Sequence, residues 1–298
     1  MAGEHAVSRR TLIAGGTTTL LAAGTGAWMR EGPPALTSSV YRWLELDGPN
    51  GRVPDVEARP VVYGTFRSAR LGGQLTGYGI AKPPGPGRHD RLPVLIVLHG
   101  LGRSHADVFD EDYLGAHRFL AAAIMGGVRP FAIASVDGGA YYWHKREAGA
   151  DAAAMVIEEF LPLLAAHGLM PDRVALTGWS MGGFGALHIA ASLGPQRVSA
   201  VSTMSAALCI QFEDTTPGAF DDEVDFERHT PHGRQAALTG IPIRIDCGRG
   251  DSFAEGNQEY VDGFSDPPEG GFALGDHDIG YWRRIFPHHV AHAARCLP

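Results

Sequence analysis

The sequence predicts an α/β protein: a mostly parallel sheet with helices on both faces, entered through an antiparallel hairpin. Two patterns carry that expectation. From residue 94 onward, short continuous apolar runs alternate with helical periodicities, as in parallel strands buried on both faces. Ahead of them, two alternating segments are joined by Gly72-Gly73, a hairpin turn. The 298 residues are 44% hydrophobic and 19% charged, which suits a packed core and excludes a disordered chain.

Taken in order, Val61–Arg67 and Leu75–Ala81 form the hairpin, and residues 83–93 a Pro- and Gly-rich loop. Val94–Leu98 is the first fully apolar strand. Phe131–Val136, Val174–Thr177, Val198–Thr203 and Ile241–Ile245 follow it. Helical patterns cover Ala116–Met125, Asp151–His167 and Met181–Ser192, and Ile279–Cys296 reads as a closing helix. A leading hairpin followed by alternating strands and helices is the order of the α/β-hydrolase fold. With no internal repeat and no boundary after residue 60, residues 60–298 are expected to be one catalytic domain. Residues 206–240 break the alternation. They read as an acidic, loop-like surface excursion at a point where a cap over a site is often inserted. Asp221-Asp222-Glu223 within it lacks the ligand spacing of a calcium loop.

The N-terminus carries Ser8-Arg9-Arg10-Thr11-Leu12-Ile13, then an uncharged, mildly apolar run to Trp28. Paired arginines before such a run predict a twin-arginine export signal over 1–30, with cleavage after Ala27, and hence an exported protein that engages the twin-arginine machinery. A retained membrane anchor is the alternative reading of the same run. Residues 31–59 are expected to wrap the domain surface. The net charge of -8 excludes nucleic acid as the main partner, since phosphate binding needs a basic field. Cys209, Cys247 and Cys296 are too few for a disulfide scaffold or a zinc-cysteine site. No cofactor is called for, and the 40 glycines imply many turns or places where backbone comes close to something.

Chemistry concentrates in Gly178-Trp179-Ser180-Met181-Gly182, a G-x-S-x-G between a strand and a helix. A sharp strand-to-helix turn lifts one hydroxyl above the sheet and requires neighbours without a Cβ, so Ser180 is the predicted nucleophile. Ester hydrolysis creates an oxyanion that needs preorganised donors. The Met181 amide is one. The Leu101 amide, in Leu98-His99-Gly100-Leu101-Gly102 after an earlier strand, is the other, with His99 structural. The triad order Ser, acid, His then points to Asp251 just past the strand at 241–246, with Asp246 as second choice. His277 in Gly275-Asp276-His277-Asp278 is the predicted base. His288, His289 and His292 read as solvated helix histidines. His288 and His292 stand at a metal-compatible spacing but have no third ligand near in sequence, so no metal site is expected. Tyr142, Trp143 and His144 follow the strand at 131–136, where ligands bind in such sheets. They either line an acyl or sugar site or pack the loop.

Five stretches together resemble the esterase D-like branch of α/β-hydrolases: L-H-G-L-G, D-G-G followed by W-H, G-W-S-M-G-G-F-G-A-L, I-D-C-G-R-G-D-S-F and G-D-H-D-I-G-Y-W-R. That branch includes S-formylglutathione hydrolases, feruloyl esterases and antigen 85 mycolyltransferases, and the resemblance spans about residues 60–298. It implies Ser180, Asp251 and His277 as the triad and Leu101 and Met181 as oxyanion donors. Antigen 85 proteins use Glu as the acid where this chain has Asp251, which favours a general esterase over mycolyl transfer. The expected function is therefore an exported serine carboxylesterase acting on a small-molecule or glycolipid ester. The alternatives are an envelope acyltransferase passing the acyl group to a sugar or lipid hydroxyl, and a non-catalytic carbohydrate- or matrix-binding protein on the same scaffold.

Overall fold

The computed structural model describes residues 47–85 and 91–298. The predicted signal over 1–30, residues 31–46 of the lead-in and residues 86–90 of the following loop lie outside the described residues. Eight strands form one sheet: β1 (Val62–Ser68), β2 (Gln74–Ala81), β3 (Pro93–Leu98), β4 (Ala132–Val136), β5 (Met170–Trp179), β6 (Val198–Met204), β7 (Ile243–Gly248) and β8 (Glu269–Ala273). Their spatial order is β1-β2-β4-β3-β5-β6-β7-β8. β1 pairs antiparallel with β2, and β2 with β4; every later pairing is parallel.

Alternation along each strand divides the core into two layers. On β3, Val94, Ile96 and Leu98 face one side, and Leu95 and Val97 the other. The first face is covered by α3, which runs through the abutting stretches Ala152–Ala154, Met155–Phe160 and Leu161–Ala166, and by α4 (Met181–Leu193). The second is covered by α1 (His105–Phe109), α2 (Ala116–Met125) and α7 (Ile279–Cys296), which follows α5 (Glu223–His229) and α6 (Ala254–Asp262) in the chain. α4 has nine buried residues, so its amphipathic signal is weak, as expected of a helix enclosed on several sides. Among the described residues no helix is long and apolar enough to cross a membrane. All three cysteines are free. The described part of the lead-in lies against α7: the Gly51 N–H donates to the Gly280 carbonyl at 2.8 Å.

Four features of the structure depart from the sequence pattern. β5 is ten residues long, not four: Met170 pairs with Pro93 ahead of a register irregularity, and beyond Thr177 the strand continues as Gly178 pairs with Leu98 and Trp179 with Met204. β8, read from Glu-Gly-Gly-Phe-Ala, has no strand propensity of its own; it forms along the free edge of β7. The excursion 206–240 is not a solvated loop. It contains α5 (Glu223–His229), and its Phe220, Phe226 and Asp225 are buried. Finally, of the three histidines on α7, His289 and His292 are fully buried and His288 is exposed. His289 Nε2 lies 3.2 Å from Asp246, and His292 Nδ1 lies 3.4 Å from Glu269. Partners from neighbouring strands explain their burial, and a helical periodicity does not report them.

Candidate active site

The strand ends on one edge of the sheet assemble the site. Ser180 occupies the junction of β5 and α4 with φ +55° and ψ −124°, a conformation rare for a residue bearing a Cβ. Surrounding bonds hold it there. Its N–H is shared between the Met204 and Ser205 carbonyls, both at 3.1 Å, and its carbonyl accepts from Ala207 N–H at 3.0 Å. The turn is tight enough that a Cβ on Gly178 would stand 2.7 Å from the Leu98 oxygen, and one on Gly182 would stand 2.7 Å from the His99 oxygen. G-x-S-x-G is therefore dictated here by close backbone contact with β3.

His277 projects from the loop between β8 and α7. Its Nε2 lies 3.0 Å from Ser180 Oγ. Its Nδ1 lies 3.0 and 2.9 Å from the two oxygens of Asp251. Asp251 accepts only, so the proton sits on Nδ1 and Nε2 presents a lone pair to the serine hydroxyl. Burial pushes the His277 imidazolium towards proton loss. The charge and hydrogen bond of Asp251 outweigh it, helped by Asp276 and Asp278, and the net pKa is raised above its ordinary value. The ring is held edge-on to Trp282, with centroids 5.1 Å apart, and against Phe253 at 5.2 Å. Asp251 is buried and also accepts from the Phe253 N–H at 2.9 Å. The two loops are tied together: Arg249 and Gly250 N–H groups donate to the Ala273 and Gly275 carbonyls, each at 2.8 Å. Asp246, the second-choice acid, is turned away and bonded to Arg244 and His289.

The predicted oxyanion residues flank Ser180. Met181 opens α4, among the helix amides that have no intrahelical acceptor. Leu101 lies on a turn closed by Arg103 N–H to the Gly100 carbonyl at 3.2 Å. Gly100 runs beside the serine: a Cβ there would stand 3.4 Å from Ser180 Cβ and 2.6 Å from Trp179 Nε1. His99 anchors this loop. Its Nε2 accepts from Gly138 N–H at 3.0 Å, and its Nδ1 reaches the Gly100 carbonyl at 2.9 Å. Burial pushes its pKa down, which keeps it neutral and able to accept.

The structure corrects the reading of Tyr142, Trp143 and His144 as a substrate surface. Tyr142 and Trp143 adopt φ of +50° and +56°, which turns the segment inward, and all three side chains are buried. Trp143 instead props the 99–102 loop. Its indole N–H donates to the His99 carbonyl at 3.3 Å, and the ring fills the space that a Cβ at Gly138 or Gly185 would need. No sequence signal announced that role, because the residues meeting there come from three separate segments.

A serine hydroxyl bonded to an imidazole, itself bonded to a buried carboxylate, on this sheet defines a serine hydrolase of the α/β class. The chain belongs to the esterase family described as "Putative esterase", whose model matches residues 68–293. It is a carboxylic ester hydrolase. No curated relative matches the sequence. Among solved structures it is similar to a ferulic acid esterase, with a TM-score of 0.68 at 22% identity, covering 80% of this chain and 98% of that one. It is also similar to an S-formylglutathione hydrolase from Agrobacterium tumefaciens, with a TM-score of 0.65 at 20% identity, covering 82% and 99%. A ferric enterobactin esterase from Salmonella typhimurium matches with a TM-score of 0.63 at 19% identity, covering 84% of this chain and 62% of that one.

Proposed function

We propose that this esterase cleaves its substrate through an acyl-enzyme on Ser180. His277 Nε2 takes the hydroxyl proton as Oγ attacks the ester carbonyl, and Asp251 holds the ring and stabilises the cation that forms. The Leu101 and Met181 amides bond the oxyanion. The tetrahedral intermediate collapses, His277 protonates the departing alcohol, and water repeats the cycle to release the acid. The observation that carries this reading is the continuous relay from Ser180 Oγ through His277 to Asp251, all contacts at 2.9–3.0 Å. Solved relatives named for ferulic acid, S-formylglutathione and enterobactin favour a small-molecule ester. Ser180→Ala tests it: p-nitrophenyl ester turnover and labelling by a fluorophosphonate should both vanish while the circular dichroism spectrum is kept. Retained turnover refutes the assignment. Running the wild type with added sugar acceptors separates hydrolysis from acyl transfer; transfer product in place of free acid reassigns the protein as an acyltransferase.

The proposed place of action is outside the cytoplasm, after export directed by Arg9-Arg10. Replacing both by Lys should leave the protein inside the cell. Unchanged export refutes the twin-arginine route.

A further inference from the structure

We propose that His144, Asp225 and His229 form a binding site for a divalent transition-metal ion of the Zn2+ type, stapling α5 to the loop after β4. The site lies apart from Ser180 and does not depend on the esterase mechanism.

The ligand atoms converge. His144 and Asp225 are buried and His229 is nearly so, and one ligand atom from each lies within 4.8 Å of the others. His144 Nδ1 stands 3.9 Å from Asp225 Oδ2, and His229 Nδ1 stands 3.0 Å from Asp225 Oδ1. Neighbouring ligands around tetrahedral zinc, with bonds of about 2.0–2.2 Å, are separated by roughly 3.3 Å, between those two values.

Hydrogen bonding supplies the second observation. His144 Nδ1 faces the Lys145 carbonyl at 3.0 Å, while its Nε2 faces the Ala219 carbonyl at 3.1 Å. Both carbonyls can only accept, yet a neutral imidazole has a single N–H. With the proton on Nε2 and given to Ala219, the Nδ1 lone pair points at the Lys145 oxygen and the Asp225 carboxylate, an unfavourable meeting of acceptors. A divalent cation converts that repulsion into coordination. The Nε2–H to carbonyl bond then serves as the outer contact that fixes the tautomer of a metal-bound histidine.

Charge and access agree. An open cleft lined by the acidic Glu147, Asp221, Asp222 and Asp225 and by the basic Lys145, Arg146 and Arg228 reaches the cluster through His229, giving an ion a path in. Of those cations, Arg146 is paired with Asp221 at 2.8 Å. Two imidazoles and a carboxylate select a borderline ion such as Zn2+ over Ca2+, which prefers oxygen alone.

The test uses untagged, full-length protein stripped with a chelator and dialysed against ZnCl2. One equivalent of zinc by mass spectrometry, and a melting temperature that rises with zinc, support the site. His229→Gln, at the partly exposed ligand, should weaken zinc binding at least tenfold and abolish the melting shift while the circular dichroism spectrum is kept. Asp225→Asn provides the second ligand test, and His288→Gln on α7 should behave as wild type. No retained zinc, equal retention in His229→Gln, or an equal melting shift with CaCl2 overturns the proposal.

Discussion

Gly182 packs so closely on β3 that a Cβ there would stand 2.5 Å from the carbonyl carbon of Leu98. The contact joins the start of α4 to the strand that leads into the 99–102 loop, so the nucleophile and the loop share one rigid seam. Gly182→Ala should therefore destabilise the protein by about 1–3 kcal/mol or more, the usual range for overpacking a rigid site. Urea denaturation measures this. A variant as stable as the wild type would show that the seam yields.

Ser180 is held at positive φ, where a side chain is strained by about 1–3 kcal/mol and glycine is not. Ser180→Gly should lose turnover by at least ~10⁴-fold. It should also gain about 1 kcal/mol of stability, after allowing for the greater unfolded-state freedom of glycine. The informative result is the opposite sign of the two changes, read from ester turnover and denaturation of the same preparation.

The raised pKa of His277 sets the pH dependence. The base works only when neutral, so kcat/KM should fall with acid through a pKa above about 6.5, the ordinary imidazole value. In Asp251→Asn the charge that raises it is gone, and the acid limb should move to lower pH. The same change should lower kcat by roughly 10⁴-fold by removing the partner that fixes the tautomer. An acid limb unmoved by the substitution would mean that Asp251 does not govern His277.

Stability should respond to acid through histidines away from the site. Burial pushes His188 down to about 3, and it also lowers His99, His232 and His289. A histidine whose folded pKa is depressed contributes stability that is complete above its unfolded value of about 6.5 and lost as pH falls towards the folded value. In the presence of a chelator, the melting temperature should drop steadily from pH 7 to pH 5. His188→Phe, which keeps the stack on Phe184, should flatten that drop. An unchanged slope would place the acid sensitivity elsewhere.

Much of this protein is legible in local sequence. The apolar runs of β3, β4 and β6 and the periodicity of α2 and α4 fall within a few residues of their observed bounds, because burial on a regular element leaves a regular pattern. Ser180, Asp251 and His277 are each identifiable from short motifs, since each needs a particular turn at a strand end, and turns are built by neighbours in the chain. β8 and α5 left no such trace: one borrows its order from the edge of β7, the other from the contact of His229 with His188 on α4.

What local sequence determined, then, is which residues could do chemistry: a serine on a forced turn, an acid past a strand and a histidine before a helix. Tertiary structure decided which of them meet, because only the parallel order β5-β6-β7-β8 within one sheet brings His277 between Ser180 and Asp251. It also decided what sequence leaves open. Their position after a strand lets Trp143 and His144 either line a ligand site or pack the loop, and positive φ at Tyr142 and Trp143 turns the segment into the core. There Trp143 supports the 99–102 loop, and His144 faces Asp225 and His229 from a distant part of the chain. Backbone direction at two residues, a quantity with no compositional signature, separates those outcomes.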